Sequence, residues 1–361
     1  MQVGILTYYG VHNHGAVLQA NALKSVLQKL GHDVSFLSFE RSYEYISAEL
    51  TKKYKIGLSS VPYYFKFMQE KGIGNILYNV QKNRTLNAFR KSRFHFVPYD
   101  QFDGDVTVIG SDEVFSLEIG YNPFMYGYGL KSRNVISYSG SFGPSTLEEI
   151  AEKGKTEQIR GGLDQFKAIS VRDQNSQDIA KTLCGRDVPL TCDPVLLYGY
   201  KKEQKKYKPK APKYIAVYAY DHRMNDPEEV DAIRTYAKKH NLKVYSIAYY
   251  HRWCDRNINV DPIQLLAWMR NAELLVTDTF HGSVISIICN SLMVVKTREN
   301  NEIKLSHLLN EYGLEGCKVK DFSELERIAK EPIDFEVVNR KVAEKRKESL
   351  SYLKNALELC K

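Results

Sequence analysis

The stretch LLVTDTFHGSVISIICNSL, residues 274–292, holds a histidine just after an apolar run. Leu274, Leu275 and Val276 read as a buried strand, Thr277, Asp278 and Thr279 end it, and a second apolar run follows as a helix. In open α/β sheets ligands bind at the carboxyl ends of the strands. Histidine is the side chain best able to exchange a proton near neutral pH. Gly282 lets backbone approach a ligand closely, and the N–H groups of a helix start suit an anion. His281 is therefore the candidate general acid or base, with Gly282 and Ser283 placed to contact an anionic group. The competing reading is a histidine that caps a helix or is bonded inside the core.

Three further groups sit at strand ends. In the loop YGVHNHG (9–15), Asn13, His14 and Gly15 stand where ligand-contacting loops stand in this fold class; a merely well-turned loop fits as well. The loop is not GxGxxG, so no dinucleotide is indicated. In GSDEVFS (110–116), Asp112 and Glu113 could accept protons from sugar hydroxyls or orient a basic residue. Adjacent residues usually point apart, which argues against a glycosidase carboxylate pair; a helix N-cap at Ser111 or Asp112 is the alternative. Arg172 follows the apolar run of SVRD, and Lys296, Arg298 and Lys304 follow the His281 helix. Arginine suits bidentate capture of phosphate or carboxylate. No P-loop, HExxH, GxSxG or kinase signature is present, and Cys184, Cys192, Cys254, Cys289, Cys317 and Cys360 lack CxxC spacing. No metal and no cofactor is expected.

The elements that would hold these residues repeat one pattern. QVGILTY (2–8) reads as a strand, AVLQANALKSVLQKLG as a helix closing at Gly31, and DVSFLSF as the next strand. Residues 43–100 read as a helical insertion. DVTVIG, NVISYSGSFG and AISVRD (168–173) read as strands, with a helix around 146–164. KKEQKKYKPKAPK (201–213) is the best linker candidate. The second half restarts with KYIAVYAY, a helix in DPEEVDAIRTYAKKHN, KVYSIAYY, a helix in DPIQLLAWMRNAE, LLVTD and LMVVKT. The expected architecture is α/β: two Rossmann-like domains facing a cleft, 1–200 and 214–334, in the GT-B manner. A charged helix at 335–361 would cross back to the first domain.

The 361 residues suffice for two well-buried domains. No stretch approaches the ~18–20 apolar residues of a membrane span, and the N-terminus reads as a first strand in place of a signal peptide. A cytoplasmic protein is expected. The formal charge of +8 is concentrated in 201–213 and in NRKVAEKRK (339–347). Solvated surface explains it; attraction to anionic lipid, and so a peripheral position at the inner face of the membrane, is the variant. No nucleic-acid motif accompanies the charge, so nucleic acid is not an expected partner.

Taken in order, NHGAVLQANAL, VIGSDEVFS, SYSGSFG, ISVRDQNSQDIAKTL with CDPVLLY, VTDTFHGSVISI and IKLSHLLNEYGL resemble the polysaccharide pyruvyl transferase family over most of the chain. The resemblance implies a GT-B-like fold. It also implies transfer of the enolpyruvyl moiety of phosphoenolpyruvate to a saccharide, usually as a ketal across two hydroxyls with release of phosphate. By that resemblance His281 and Asp112 are catalytic. Arg172, Lys304, Arg298, Gly282 and Ser283 face the donor, and Asn13, His14, Gly15 and Glu113 face an acceptor, free or lipid-linked. Two positions depart from the family pattern. Thr279 stands where some members carry an arginine, with Arg298 or Lys296 as the substitutes, and Glu113, Val114, Phe115 and Ser116 stand where Gln-Val-Trp-Asn is frequent. The alternatives are a GT-B glycosyltransferase using a nucleotide sugar and a non-catalytic glycan- or anion-binding protein on the same fold.

Overall fold

The first strand, β1 (Gln2–Leu6), is buried on both faces after its first residue, as a central parallel strand must be. The computed structural model describes residues 1–39, 61–118, 120–299 and 301–361. After β1 come α1 (His14–Lys29), β2 (Asp33–Ser38), α2 (Val61–Arg93), β3 (Phe96–Pro98), β4 (Val106–Ile109) and β5 (Asn134–Ser137). Four helices follow: α3 (Leu147–Glu152), α4 (Thr156–Asp164), α5 (Gln174–Cys184) and α6 (Pro194–Tyr198). The five strands form one parallel sheet in the order β3-β2-β1-β4-β5.

The second half contains β6 (Tyr214–Tyr218), α7 (Pro227–Lys239), β7 (Lys243–Ile247), β8 (Arg256–Ile258) and α8 (Pro262–Arg270). These lead to β9 (Leu274–Thr277), α9 (Phe280–Cys289), β10 (Met293–Lys296), α10 (Glu302–Tyr312), β11 (Lys318–Val319) and α11 (Leu325–Ile328). Its parallel sheet has the order β11-β10-β9-β6-β7-β8. Both halves thus reverse direction beside their first strand, at β1/β4 and at β6/β9. Such switch points open a crevice at the carboxyl ends of the strands. The loops leaving β1, β4, β6 and β9 are the ones that carry the site.

The chain ends in α12 (Phe335–Glu358), which crosses back to the first half. There the Tyr352 hydroxyl donates to the Ser137 carbonyl at 2.9 Å, the Ser349 hydroxyl accepts from Cys192 N at 2.9 Å, and the Asn134 amide donates to the Cys360 carbonyl at 3.1 Å. Helix α1 is buried along most of its length because it packs on its own sheet and against α6, α8 and α9 at the junction of the halves.

Several local expectations change form. Residues 168–173 do not pair as a strand: single bridges tie Ala168 to Ile136 and Val171 to Gly140 and Leu190. The hydroxyls of Ser137, Ser170 and Thr191 take up bonds in this region, in place of a regular ladder. The helix expected around 146–164 is two, broken at Gly154, whose φ of 62° ends the first. Within the expected insertion, residues 43–60 lie outside the described residues, and α2 is kinked at Gly72. Helix α2 leans on the second half, where the Asn79 amide donates to Asp221 at 2.8 Å and the Tyr78 hydroxyl to the Ile258 carbonyl at 3.0 Å. Among the described residues no helix is long and apolar enough to cross a membrane.

Candidate functional site

Strand β9 stops because its polar side chains build the next helix start. The Thr277 hydroxyl donates to the Tyr218 carbonyl at 2.6 Å and accepts from Thr279 N at 3.1 Å. The Thr279 hydroxyl then caps α9 by accepting from Gly282 N at 2.9 Å. A Cβ on Gly282 would lie 2.1 Å from the Thr277 hydroxyl oxygen, so only glycine fits under this cap. His281 is thereby fixed in the first turn of α9, 6% exposed, where its side chain lines a cavity of about 330 Å³ between the halves. Gly15 of α1 packs against the ring: a Cβ there would sit 2.3 Å from His281 Cγ.

Behind His281 runs a chain of opposite charges. His281 Nε2 lies 3.6 Å from Asp193 Oδ2, and Arg172 Nη1 lies 3.6 Å from the same oxygen. The other Arg172 nitrogen is 3.5 Å from Asp112 Oδ1 and 3.7 Å from Glu113 Oε1, and its guanidinium covers the Phe280 ring at 4.3 Å. Glu113 in turn accepts from Lys304 Nζ at 2.7 Å, which joins the first half to α10 of the second. Asp112 presents its carboxylate from backbone with a φ of 82°, a conformation non-glycine residues seldom adopt. A second group surrounds Asp278, whose Oδ2 lies 2.6 Å from Arg298 Nε and 3.7 Å from Arg223 Nη1.

These contacts set the charge states. Burial pushes the Asp193 carboxyl up, but the His281 ring and the Arg172 guanidinium outweigh it and hold the group below the usual carboxylate range. Burial likewise raises Glu113, while Lys304 and Arg172 bring it below its ordinary value. Glu118 at the cavity edge moves upward, through burial and then through the charge of Glu113. Desolvation opposes the charge of Arg172, but Asp112, Glu113 and Asp193 reverse that effect and keep it cationic. The cleft therefore brings together a histidine backed by a carboxylate, the Glu113 carboxylate, and cations from both halves.

Of the residues expected from sequence, His281, Asp112, Glu113, Arg172, Lys304 and Asn13 line the cavity. Asn13 accepts from Gly15 N at 2.9 Å, capping α1, and its amide nitrogen donates to the Tyr220 hydroxyl at 3.2 Å across the cleft. Gly15 packs against the His281 ring and does not itself line the cavity. His14 does not reach the cleft, which corrects its expected acceptor role. It is fully buried, its Nε2 lies 2.7 Å from the Val260 carbonyl, and desolvation lowers its pKa to about 3. Gly282 and Ser283 are likewise turned inward: the Gly282 N–H is held by Thr279, and the Ser283 hydroxyl donates to the Thr279 carbonyl at 3.2 Å. Arg298 stands behind Asp278, shared with Glu229 at 3.2 Å, and does not line the cavity. Lys296 is 3.6 Å from that same Glu229.

Sequence reasoning missed Asp193, Arg223, Tyr220 and Asp278 as site residues. Asp193 precedes Pro194 and reads as a helix cap, which it also is, because its other oxygen accepts from Val195 N at 2.8 Å. Arg223 was findable, since it lies in the loop leaving β6 at the second switch point. Among the described residues no group of three or more His, Cys, Asp or Glu side chains is arranged to hold a metal ion.

Comparison with curated proteins finds no match. Among solved structures the fold is similar to S. aureus MnaA in its UDP co-structure, at 10% identity, 99% of this chain, 98% of that one and a TM-score of 0.51. It is also similar to a putative UDP-N-acetylglucosamine 2-epimerase from Listeria monocytogenes, at 9% identity, 96% and 90% coverage and a TM-score of 0.51. The glycotransferase of kitacinnamycin matches at 12% identity, 99% of both chains and a TM-score of 0.50. At such identities the likeness is one of fold alone: two parallel α/β sheets across a cleft, as in GT-B enzymes. The sequence itself is more specific, since the model of one family matches residues 13–290, from the cap of α1 to the end of α9 and so across both sheets. The chain belongs to the polysaccharide pyruvyl transferase family.

Proposed function

We propose that this protein moves the enolpyruvyl group of phosphoenolpyruvate onto a saccharide, leaving a pyruvate ketal, in the biosynthesis of a cell-surface polysaccharide. The observation that carries this reading is His281, at the cleft end of α9, with Asp193 behind it and cations from both halves around it. The donor bears a phosphate and a carboxylate. Arg223 and Lys304, which line the cleft, suit that charge.

The chemistry balances with these groups. His281 gives a proton to the terminal methylene while an acceptor hydroxyl forms a C–O bond to the adjacent carbon. The bond from that carbon to the phosphate oxygen breaks, phosphate leaves with the electron pair, and a second hydroxyl closes the ketal. One hydroxyl proton replaces that given by His281 and the other leaves with phosphate. Asp112 and Glu113, beside Arg172, would accept hydroxyl hydrogen bonds from the acceptor. Asp193, 3.6 Å from the ring, would steady His281 by its charge.

The test is thermal stabilisation of the purified protein by phosphoenolpyruvate, beside a UDP-sugar and inorganic phosphate. A ligand of the native state raises its apparent stability by mass action. Stabilisation by phosphoenolpyruvate that Arg223→Ala removes, followed by phosphate release on adding saccharide acceptors, supports the proposal. Stabilisation by the nucleotide sugar alone overturns it in favour of a glycosyltransferase.

A further inference from the structure

A second cavity, of about 440 Å³, lies at the opposite end of α9 from His281, about 15 Å along the helix. Four cations line it, Lys201 and Lys205 of the connection between the halves, Arg270 at the end of α8 and Arg346 of α12, with Asn290 and Asn339 beside them. None of its lining residues is acidic. Arg270 donates to the Gln204 amide oxygen at 3.2 Å and Arg346 to the Leu196 carbonyl at 2.8 Å. Both are neutral acceptors, so neither bond cancels the charge. Burial pushes the Arg346 guanidinium down. Gly199, at a φ of 74°, leaves room for it: a Cβ there would lie 2.6 Å from an Arg346 nitrogen.

Cations near helix ends often only balance the helix dipole, and α8 and α9 both end here. Each such end carries roughly half a negative charge, about one unit together. Four formal cations exceed that. The Ile288 and Gly199 carbonyls that point this way are already bonded by the Gln204 amide, at 3.0 and 2.9 Å. The positive charge is thus in surplus, and asparagine amides stand with it to direct hydrogen bonds.

We propose that this cavity is a binding site for a phosphate- or diphosphate-bearing ligand, separate from the cleft. Phosphate oxygens would take the Lys and Arg donors, and the asparagine amides would fix orientation. The ligand would touch the inter-half connection, α8 and α12 together.

The test is calorimetric titration of the full-length protein with inorganic pyrophosphate, and co-sedimentation with phosphatidylcholine vesicles with and without phosphatidic acid. The double variant Lys205→Gln/Arg270→Gln should weaken binding at least about tenfold, the loss of one or two charge-assisted bonds. Asn339→Glu, at an exposed position on α12, should do the same without disturbing the fold. Arg223→Gln, in the cleft, should leave the binding that depends on Lys205 and Arg270 intact. Pyrophosphate binding with that pattern identifies a soluble ligand, and vesicle binding with that pattern a lipid headgroup; either supports the site. Binding lost only in Arg223→Gln, or no binding to either probe, overturns it.

Discussion

Asp193 Oδ2 and His281 Nε2 face each other at 3.6 Å, and among the described residues neither buried atom has a hydrogen-bond partner. The carboxylate comes from the first half and the imidazole from the second, so their alignment depends on how the halves close. Asp193→Asn keeps the shape and removes the charge. Its kcat should fall about 10²-fold or more while KM for phosphoenolpyruvate changes little, because ring orientation serves the proton transfer and not the donor grip. An equal rise in KM with unchanged kcat would make Asp193 a binding residue.

Gly15 gives a second test of the same alignment. In an open helix, Gly→Ala is favourable by roughly 1 kcal/mol, but here a Cβ would enter the His281 ring. Gly15→Ala should destabilise by about 1–3 kcal/mol and abolish turnover, whereas Gly10→Ala, with none of the described residues within 4 Å of its Cβ, should do neither. Urea midpoints and phosphate release measured on both variants separate the two effects.

The buried His14 predicts acid sensitivity. The unfolded ring binds a proton near pH 6.5, but the folded one only near pH 3. Its contribution to stability is whole above pH 6.5 and is lost as pH falls, at up to about 1.4 kcal/mol per unit. Asp193 and Glu113, held low in the fold, add loss in the same direction below the ordinary carboxylate range. His12, His32 and His251 are also lowered, mainly by burial, and share the trend. His14→Gln, whose amide can still donate to the Val260 carbonyl, should flatten the fall between pH 6.5 and 5 without removing it. Urea midpoints at pH 7, 6 and 5 report the slope; an unchanged slope would mean His14 is not buried neutral.

The parts legible in the sequence were those with local signatures. Apolar runs ending in polar loops located β1, β4, β6 and β9, and the loop after β9 located His281. Partners contributed from the other half left no such mark. The sequence HNHG cannot say that His14 faces Val260 while Asn13 faces Tyr220, because both contacts are made by the second half. Asp193 was hidden by its own local role as a cap. In the sequence Ser283 and Gly282 read as ligand contacts, but Thr277 and Thr279 already use the first turn of α9, and hydroxyl chains of that kind show only in three dimensions.

The two arginines of the cleft should separate cleanly. Arg172 has a side chain 3% exposed and neutralises Asp112, Glu113 and Asp193. Arg172→Ala removes the cation beside Asp112 and the fully buried Asp193 and should cost about 3–5 kcal/mol of stability, so lost activity in that variant says little about substrate contact. Arg223 is 17% exposed, lies 3.7 Å from Asp278 and stands over the Tyr220 ring. Arg223→Ala should change stability by no more than about 1 kcal/mol and raise KM for phosphoenolpyruvate about tenfold, the effect of losing one charge-assisted bond to an anion. Steady-state kinetics with chemical denaturation on both variants decides between them. A stable Arg172→Ala with raised KM, beside an Arg223→Ala with unchanged KM, would move the donor's anionic end to Arg172 and away from the β6 loop.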